Sequence, residues 1–376
     1  GAGLSGVGAA WHLRDKCPGK TFALLEGRAR MGGTWDLFRY PGVRSDTDMY
    51  TLGYKFKPWK STQTIADGPL IREYIEETAR ASGITEHIRF GQKVTHASWN
   101  TDRAQWTVTA QRSDGETVTH TCNFLMMCSG YYSYDGGYTP EFAGRDDFRG
   151  QIVHPQKWPQ DLDYTGKRVL VIGSGATAVT LVPSMADKAA HVTMLQRSPT
   201  YVVSVPREDR VSPLLRRVLP DQGVRHGARA AFFAAQAAVY QFSKRSPELA
   251  RRLLLAGVRH QLAGKLDMKH FTPRYKPWDE RLCAVPNGDL FESIRNGKVD
   301  VVTDHIERFT EKGVLLKSGE TIEADIVITA TGLEMRLFGG MSIDVDGAPQ
   351  AMHEALTYKG VMFADVPNLS LTVGYT

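Results

Sequence analysis

The chain has 376 residues, 42% hydrophobic and 23% charged, which excludes a disordered chain and suffices for two or three domains. Lysines and arginines number 46 against 41 acids, a net charge of +5 with both signs interspersed, so nothing demands nucleic acid, while small anions such as nucleotide phosphates are suited. The four cysteines, Cys17, Cys122, Cys128 and Cys283, form no CxxC pair and no disulfide framework, and a reduced, cytoplasmic setting is expected; the longest apolar stretch, residues 230–242, is too short for the roughly 20 residues of a spanning helix.

The chain opens on "GAGLSG", a G-x-G-x-x-G turn of Gly1, Gly3 and Gly6. A helix is expected over "VGAAWHLRDK", with Val7, Ala10 and Trp11 on one face, and then a strand over "TFALLE" ending at Glu26. Turn, helix, strand and acid in that order make a dinucleotide site. The helix N-terminus receives the pyrophosphate and the acid holds ribose hydroxyls. The strand that ordinarily leads into such a turn is missing, so the sequence is expected to be a fragment. A second apolar strand is expected in "FLMMCSG", residues 124–130.

The turn recurs in "KRVLVIGSGATA", where the strand Val169–Ile172 precedes Gly173, Gly175 and Ala178. At the tip of the following strand, "HVTMLQRSPT", stands Arg197 in place of an acid, with Ser198 and Thr200 beyond it. Arginine suits an additional 2′-phosphate through charge-assisted, bidentate bonds. The first site therefore reads as FAD or NAD(H) and the second as NADP(H), which together suggest a flavoprotein in which NADPH reduces FAD.

Residues 211–266 carry helical apolar spacing and are expected to form an insertion on the NADPH domain. A helical cap over the active-site cleft is the preferred reading; a basic amphipathic face touching a membrane surface is the lesser alternative and is not predicted. "ADIVITATG", residues 324–332, is expected to return the chain to the FAD-domain sheet, ending at Thr331 and Gly332, which are expected to bind the cofactor. The expected fold class is α/β with two Rossmann-like dinucleotide-binding domains: a discontinuous FAD-binding domain over 1–160 and 322–376, and an inserted NADPH-binding domain over 161–321.

Reduced flavin needs an electron sink. A disulfide would require a redox cysteine pair, which is absent, and oxygen is the remaining common acceptor. Two long motifs bear on this. "FRGQIVHPQKWP" reads F-x-G-x-x-x-H-x-x-x-W-P through Phe148, Gly150, His154, Trp158 and Pro159, and "GGTWDLFRYPGVRSD" places Gly32, Gly33, Thr34, Trp35, Tyr40, Pro41, Gly42 and Asp46. Both resemble the Baeyer–Villiger monooxygenases, class B flavin monooxygenases, and the resemblance covers the entire chain. Relatives continue past its end, so the C-terminus also looks cut.

The resemblance implies FAD and NADPH as cofactors, O2 as co-substrate, and a C4a-peroxyflavin. That adduct converts ketones to esters or lactones and can oxidise sulfur compounds. An N- or S-oxygenating monooxygenase without ketone activity, and a non-catalytic nucleotide-binding remnant, are the alternatives. It further implies that Arg281 in "PWDERLC" keeps the peroxide anionic, since arginine does not deprotonate, and that Asp46 orients Arg281 and touches the cofactor. Glu280 stands where the family commonly has lysine. A surface ion pair with Asp279 or Glu280 is the plain alternative for Arg281, and a helix N-cap for Asp46. His154 is expected to act at a hinge, with Trp158 as its anchor. Trp35 and Tyr40 are expected to shape the flavin wall or to pack in the core. No His, Cys or carboxylate cluster has metal-ligand spacing.

Overall fold

The computed structural model describes residues 1–215 and 217–372. Residue 216, inside the expected helical insertion, and residues 373–376, at the end of the expected FAD-binding domain, lie outside the described residues. The chain gathers into two compact units: Gly1–Leu37, Pro69–Gly136 and Leu333–Thr376 in the first, Phe38–Gly68 and Gly137–Gly332 in the second.

In the first unit the opening glycine turn feeds the helix Leu4–Lys16, whose buried residues, Gly6, Val7, Gly8 and Ala10, are all small or β-branched. The strand that follows it, Leu24–Leu25, pairs in parallel with Ile88–Arg89. Beyond lies a meander of Gln92–Asn100, Gln105–Arg112 and Thr117–Cys122, joined in parallel by Ser342–Val345. Trp106, Val108 and Ala110 alternate inward along one strand, the two-residue period of a half-buried sheet. Trp106 stands opposite Trp99 in register, with ring centroids 5.5 Å apart. The strand Leu125–Met127 pairs in parallel with Leu369–Leu371, and both add to the core around the two tryptophans.

The second unit is built on a five-stranded sheet in the order Val299–Thr303, His191–Gln196, Arg168–Ile172, Ile326–Thr329, Gln151–Val153, parallel throughout. Its central strands are continuous apolar runs, as a sheet covered on both faces requires. The helix Ala176–Ala186 buries eight of its eleven residues. A second parallel pair, Tyr201–Val205 with Leu282–Pro286, and an antiparallel meander from Ile306 to Glu323 complete the strands. The helices Asp221–Arg245 and Pro247–Leu262 occupy the stretch expected to be an insertion.

One expectation is overturned. "ADIVITATG" does not return to the sheet of the first unit. All four residues of Ile326–Thr329 are buried, and the strand lies between Arg168–Ile172 and Gln151–Val153 in the second sheet. Four consecutive buried residues ask for a neighbour on each side, and an interior position in a parallel sheet supplies both. The unit boundaries follow: residues 38–68, 137–160 and 322–332 gather with the second unit.

Candidate active site

The first nucleotide turn is shaped by close backbone packing. A Cβ on Gly6 would lie 1.9 Å from the Gly1 carbonyl oxygen, and one on Gly33, at φ +56°, would lie 3.1 Å from the Gly3 Cα. Gly3 is the N-cap of the helix Leu4–Lys16 and offers no side chain to its free N–H groups, leaving them for an anion. Glu26, 6% exposed, accepts from the Ala2 N–H at 2.7 Å and the Arg28 N–H at 3.0 Å. Each carboxylate oxygen retains a lone pair for a hydroxyl. Thr34 shares a hydrogen bond of 2.6 Å with the Tyr132 hydroxyl, and Trp35 is half-buried. Glycine turn, uncapped helix and oriented acid fit the pyrophosphate and ribose of FAD.

Around this cradle stand residues that the sequence reading passed over. Asp36 is 1% exposed and paired with Arg28 at 2.7 Å and Arg72 at 3.5 Å. The Arg28 guanidinium also lies over the Tyr134 ring, 5.8 Å from its centroid. A carboxylate inside the apolar run "TWDLF" is the signal, because a buried acid needs a cation.

At the second turn Gly173 has φ +134°, and a Cβ there would lie 2.3 Å from the Ala330 carbonyl oxygen. Gly175 caps the helix Ala176–Ala186 without a side-chain bond, and a Cβ on it would meet nothing within 4 Å. That leaves room beside uncapped amides for a phosphate. Ala178 is fully buried, as close helix–strand packing requires. Arg197 and Ser198 are exposed at the strand tip. Behind them the buried Gln196 donates to the His270 carbonyl at 2.6 Å and to Thr303 Oγ1 at 2.9 Å. Burial, helped by neighbouring Lys269, pushes the His270 pKa down. The residues fit a second dinucleotide.

The long motif is divided. Gly32, Gly33 and Trp35 belong to the first unit, while Phe38 onward, with Gly42, belongs to the second. Tyr40 is 8% exposed and hydrogen-bonds Thr177 on the helix of the second turn; burial raises its pKa. Gly42, at φ +73°, packs on the same helix, and a Cβ there would lie 1.8 Å from Ser184 Oγ. So Tyr40 braces the second nucleotide helix. Arg44, its side chain 6% exposed, pairs with Asp289 at 2.5 Å and ties the segment to the start of the helix Asp289–Arg295.

Asp46 and Arg281 are both exposed and both belong to the second unit. The Cys283 thiol feels both, Arg281 as a lowering charge and Asp46 as a raising one. Burial dominates and pushes it up to about 11, so the thiol stays protonated. Among the described residues no hydrogen bond joins Asp46 to Arg281. Among the described residues Arg281 forms no ion pair with Asp279 or Glu280, Asp279 pairing instead with Lys244 at 2.9 Å, and the N-cap of the helix Met49–Leu52 is Asp48, which accepts from the Thr51 N–H.

The fingerprint lies wholly in the second unit. Phe148 packs edge-on against Phe309 at 6.1 Å. A Cβ on Gly150 would lie 2.3 Å from the Asp325 carbonyl oxygen. His154 Nδ1 accepts from the Gln156 N–H at 3.2 Å, which places the proton on Nε2. Burial lowers the His154 pKa, against the opposing pull of the Gly332 and Tyr138 backbone. Gly137 packs on the imidazole so closely that a Cβ would lie 2.0 Å from Cε1. Trp158 is half-buried and Pro159 exposed. Thr331 donates to the Tyr138 carbonyl at 2.7 Å, and Gly332 accepts from the Tyr138 N–H at 3.1 Å, so both stand beside His154. Among the described residues no group of three metal-binding side chains could hold an ion.

Residues 1–60 match an NAD(P)-binding Rossmann-like domain and residues 65–217 a flavin-binding monooxygenase-like family. The chain is 56% identical over its whole length to the putative FAD-containing monooxygenase MymA and to the FAD-containing monooxygenase EthA, both of Mycobacterium tuberculosis, spanning 77% of each. It is 48% identical to the probable FAD-binding monooxygenase AlmA of an Acinetobacter species, spanning 76% of it. Among solved structures, cyclohexanone monooxygenase aligns with a TM-score of 0.82 at 24% identity, covering all of this chain and 81% of that one. A steroid monooxygenase bound to NADP aligns with 0.77 at 25%, covering 99% and 78%.

Proposed function

Because the chain belongs to the FAD-containing monooxygenases, we propose that it is an NADPH-dependent Baeyer–Villiger enzyme that converts ketones to esters or lactones and also oxidises sulfur compounds. FAD, once reduced by NADPH, supplies the activation of O2. The residues do the rest. The Gly1–Gly6 turn and Glu26 hold FAD, with Gly33, Thr34 and Trp35 around it. The Gly173–Ala178 turn and the Arg197–Ser198 tip hold NADPH and select its 2′-phosphate.

Arg281 supplies a fixed positive charge to an oxygen anion, and Asp46 sets the direction of that guanidinium as the cofactors bind. His154, held neutral, spans the junction around Tyr138 and Gly332 and serves as a hinge, with Thr331 and Gly332 as its far side. The observation that carries the reading is the Arg281 cation. It is exposed, no side-chain ion pair holds it among the described residues, and it shares the Cys283 neighbourhood with Asp46. A cation neutralised by a neighbour would lend an oxygen anion little.

The test is product analysis. The FAD-loaded protein is given NADPH, O2, a cyclic ketone and an aryl thioether. Lactone is expected, with sulfoxide alongside. Sulfoxide alone would leave an oxygenating enzyme without ketone activity, and NADPH consumption without any oxygenated product would leave only a nucleotide-binding protein.

A further inference from the structure

The helices after residue 210 form a surface for which the oxygenation chemistry has no use. Residues 210–262 contain ten arginines and lysines against two acids, Asp221 and Glu248, a net +8 where the whole chain carries +5. Nearly half of the large apolar side chains exposed among the described residues lie in this same stretch, with Leu214 at 58%, Val218 at 78%, Phe233 at 68% and Leu253 at 58%.

The helix Asp221–Arg245 buries only Val224 and Ser243 along 25 residues. One side of it is tied down: Arg229 donates to the Tyr50 and Gly53 carbonyls at 2.6 and 2.7 Å, and Arg225 to the Trp59 carbonyl at 3.1 Å. The opposite side, with Gly223, Gly227, Ala230 and Ala234, is exposed, and Phe233, one turn beyond Arg229, is exposed as well. The helix Pro247–Leu262 turns Ala250, Val258 and Leu262 inward and leaves Leu249, Leu253, Arg252 and Arg259 exposed.

Exposed apolar side chains gathered in one region mark an interaction surface. The charge names the partner. A second copy would set +8 against +8, and an acidic protein groove would satisfy the arginines but not so many scattered large apolar groups. A bilayer with anionic headgroups satisfies both. Apolar side chains enter the boundary between headgroups and acyl chains while arginines meet lipid phosphates. Among the described residues no helix is long and apolar enough to cross, so the contact is a peripheral one. We propose that residues 211–262 dock this protein on an anionic lipid surface.

The FAD-loaded protein is sedimented with vesicles of phosphatidylcholine alone and of phosphatidylcholine with phosphatidylglycerol, at low and high salt. Binding to the anionic vesicles at least about tenfold tighter than to the neutral ones is expected, weakening with salt. The triple variant Arg217→Glu, Arg252→Glu, Arg259→Glu is expected to lose about tenfold or more on anionic vesicles. The pair Leu214→Asp, Val218→Asp is expected to lose binding while keeping the flavin spectrum and NADPH oxidation. Equal binding to both vesicle types, no binding to either, or wild-type binding by both variants overturns the proposal. So does the finding that the two variants abolish self-association in the ultracentrifuge while vesicle binding is absent, which would make a second copy the occupant.

Discussion

At the scale of single residues, the candidate chemistry turns on a cation that its sequence neighbours leave alone. Lys244 occupies Asp279, so Arg281 keeps its charge for something else. Arg281→Ala is therefore expected to leave flavin reduction by NADPH within about twofold and to lower oxygenated product by roughly 100-fold or more, the scale of removing one preorganised charge stabiliser; rapid-mixing absorbance and product chromatography separate the two. His154 gives a second prediction. Its folded pKa lies below the ordinary value, which is about 6.5 unfolded. Above that pH both states are neutral and the full stability is present. As pH falls toward the folded pKa, the unfolded chain takes up the proton first, so stability drops. Chemical denaturation between pH 7.5 and 5 (roughly one unit above and below that value) should show this drop, and His154→Asn should flatten it.

Much at this scale was legible because the chemistry restricts residue type. Glycines packed against backbone, such as Gly6 and Gly173, admit few substitutes. Arg28 and Gln196 were not legible. They act through partners distant in sequence or through buried carbonyls, and no local pattern marks that. Asp48, not Asp46, caps the short helix, a two-residue displacement that composition around the cap did not resolve.

At the scale of elements, the motif running from Gly32 to Asp46 is one sequence and two structures. Its second half is pinned to the helix Ala176–Ala186 and to the helix Asp289–Arg295. Gly42→Ala meets Ser184 Oγ and a φ of +73° and is expected to cost about 1–3 kcal/mol, read as a lower denaturation midpoint. Arg44→Ala strips the partner from Asp289 and is expected to cost about 1–3 kcal/mol and to raise the KM for NADPH more than it lowers kcat, because the segment that carries Tyr40, the brace of the nucleotide helix, loses its tie to Asp289. The strand Ile326–Thr329 was legible as a strand but not as a member of its sheet. Four buried residues specify neighbours on both sides without naming them, and the partner strands lie more than 150 positions away.

At the scale of the whole molecule, two dinucleotide cradles of different charge divide the labour. The first ends in a buried acid, the second in an exposed arginine. Arg197→Asp is expected to raise the KM for NADPH by roughly 10–100-fold, the loss of one or two charge-assisted bonds, with NADH use unchanged or improved. An equal rise for both nucleotides would assign the 2′-phosphate elsewhere. The fold class was legible because the turn–helix–strand order repeats. The limits of the units were not, since segments joined end to end in the chain are sorted by burial, which sequence order does not record.

The chain passes between its two units four times, at 37/38, 68/69, 136/137 and 332/333. Within these residues the first unit is therefore begun before the second and completed after it. Synthesis must pass residue 369 before the strand Leu125–Met127 can gain its partner Leu369–Leu371. Closing contacts over such spans makes folding slow. Trimming either unit to a continuous piece would remove part of a core, so neither can be cut out as a stand-alone fragment.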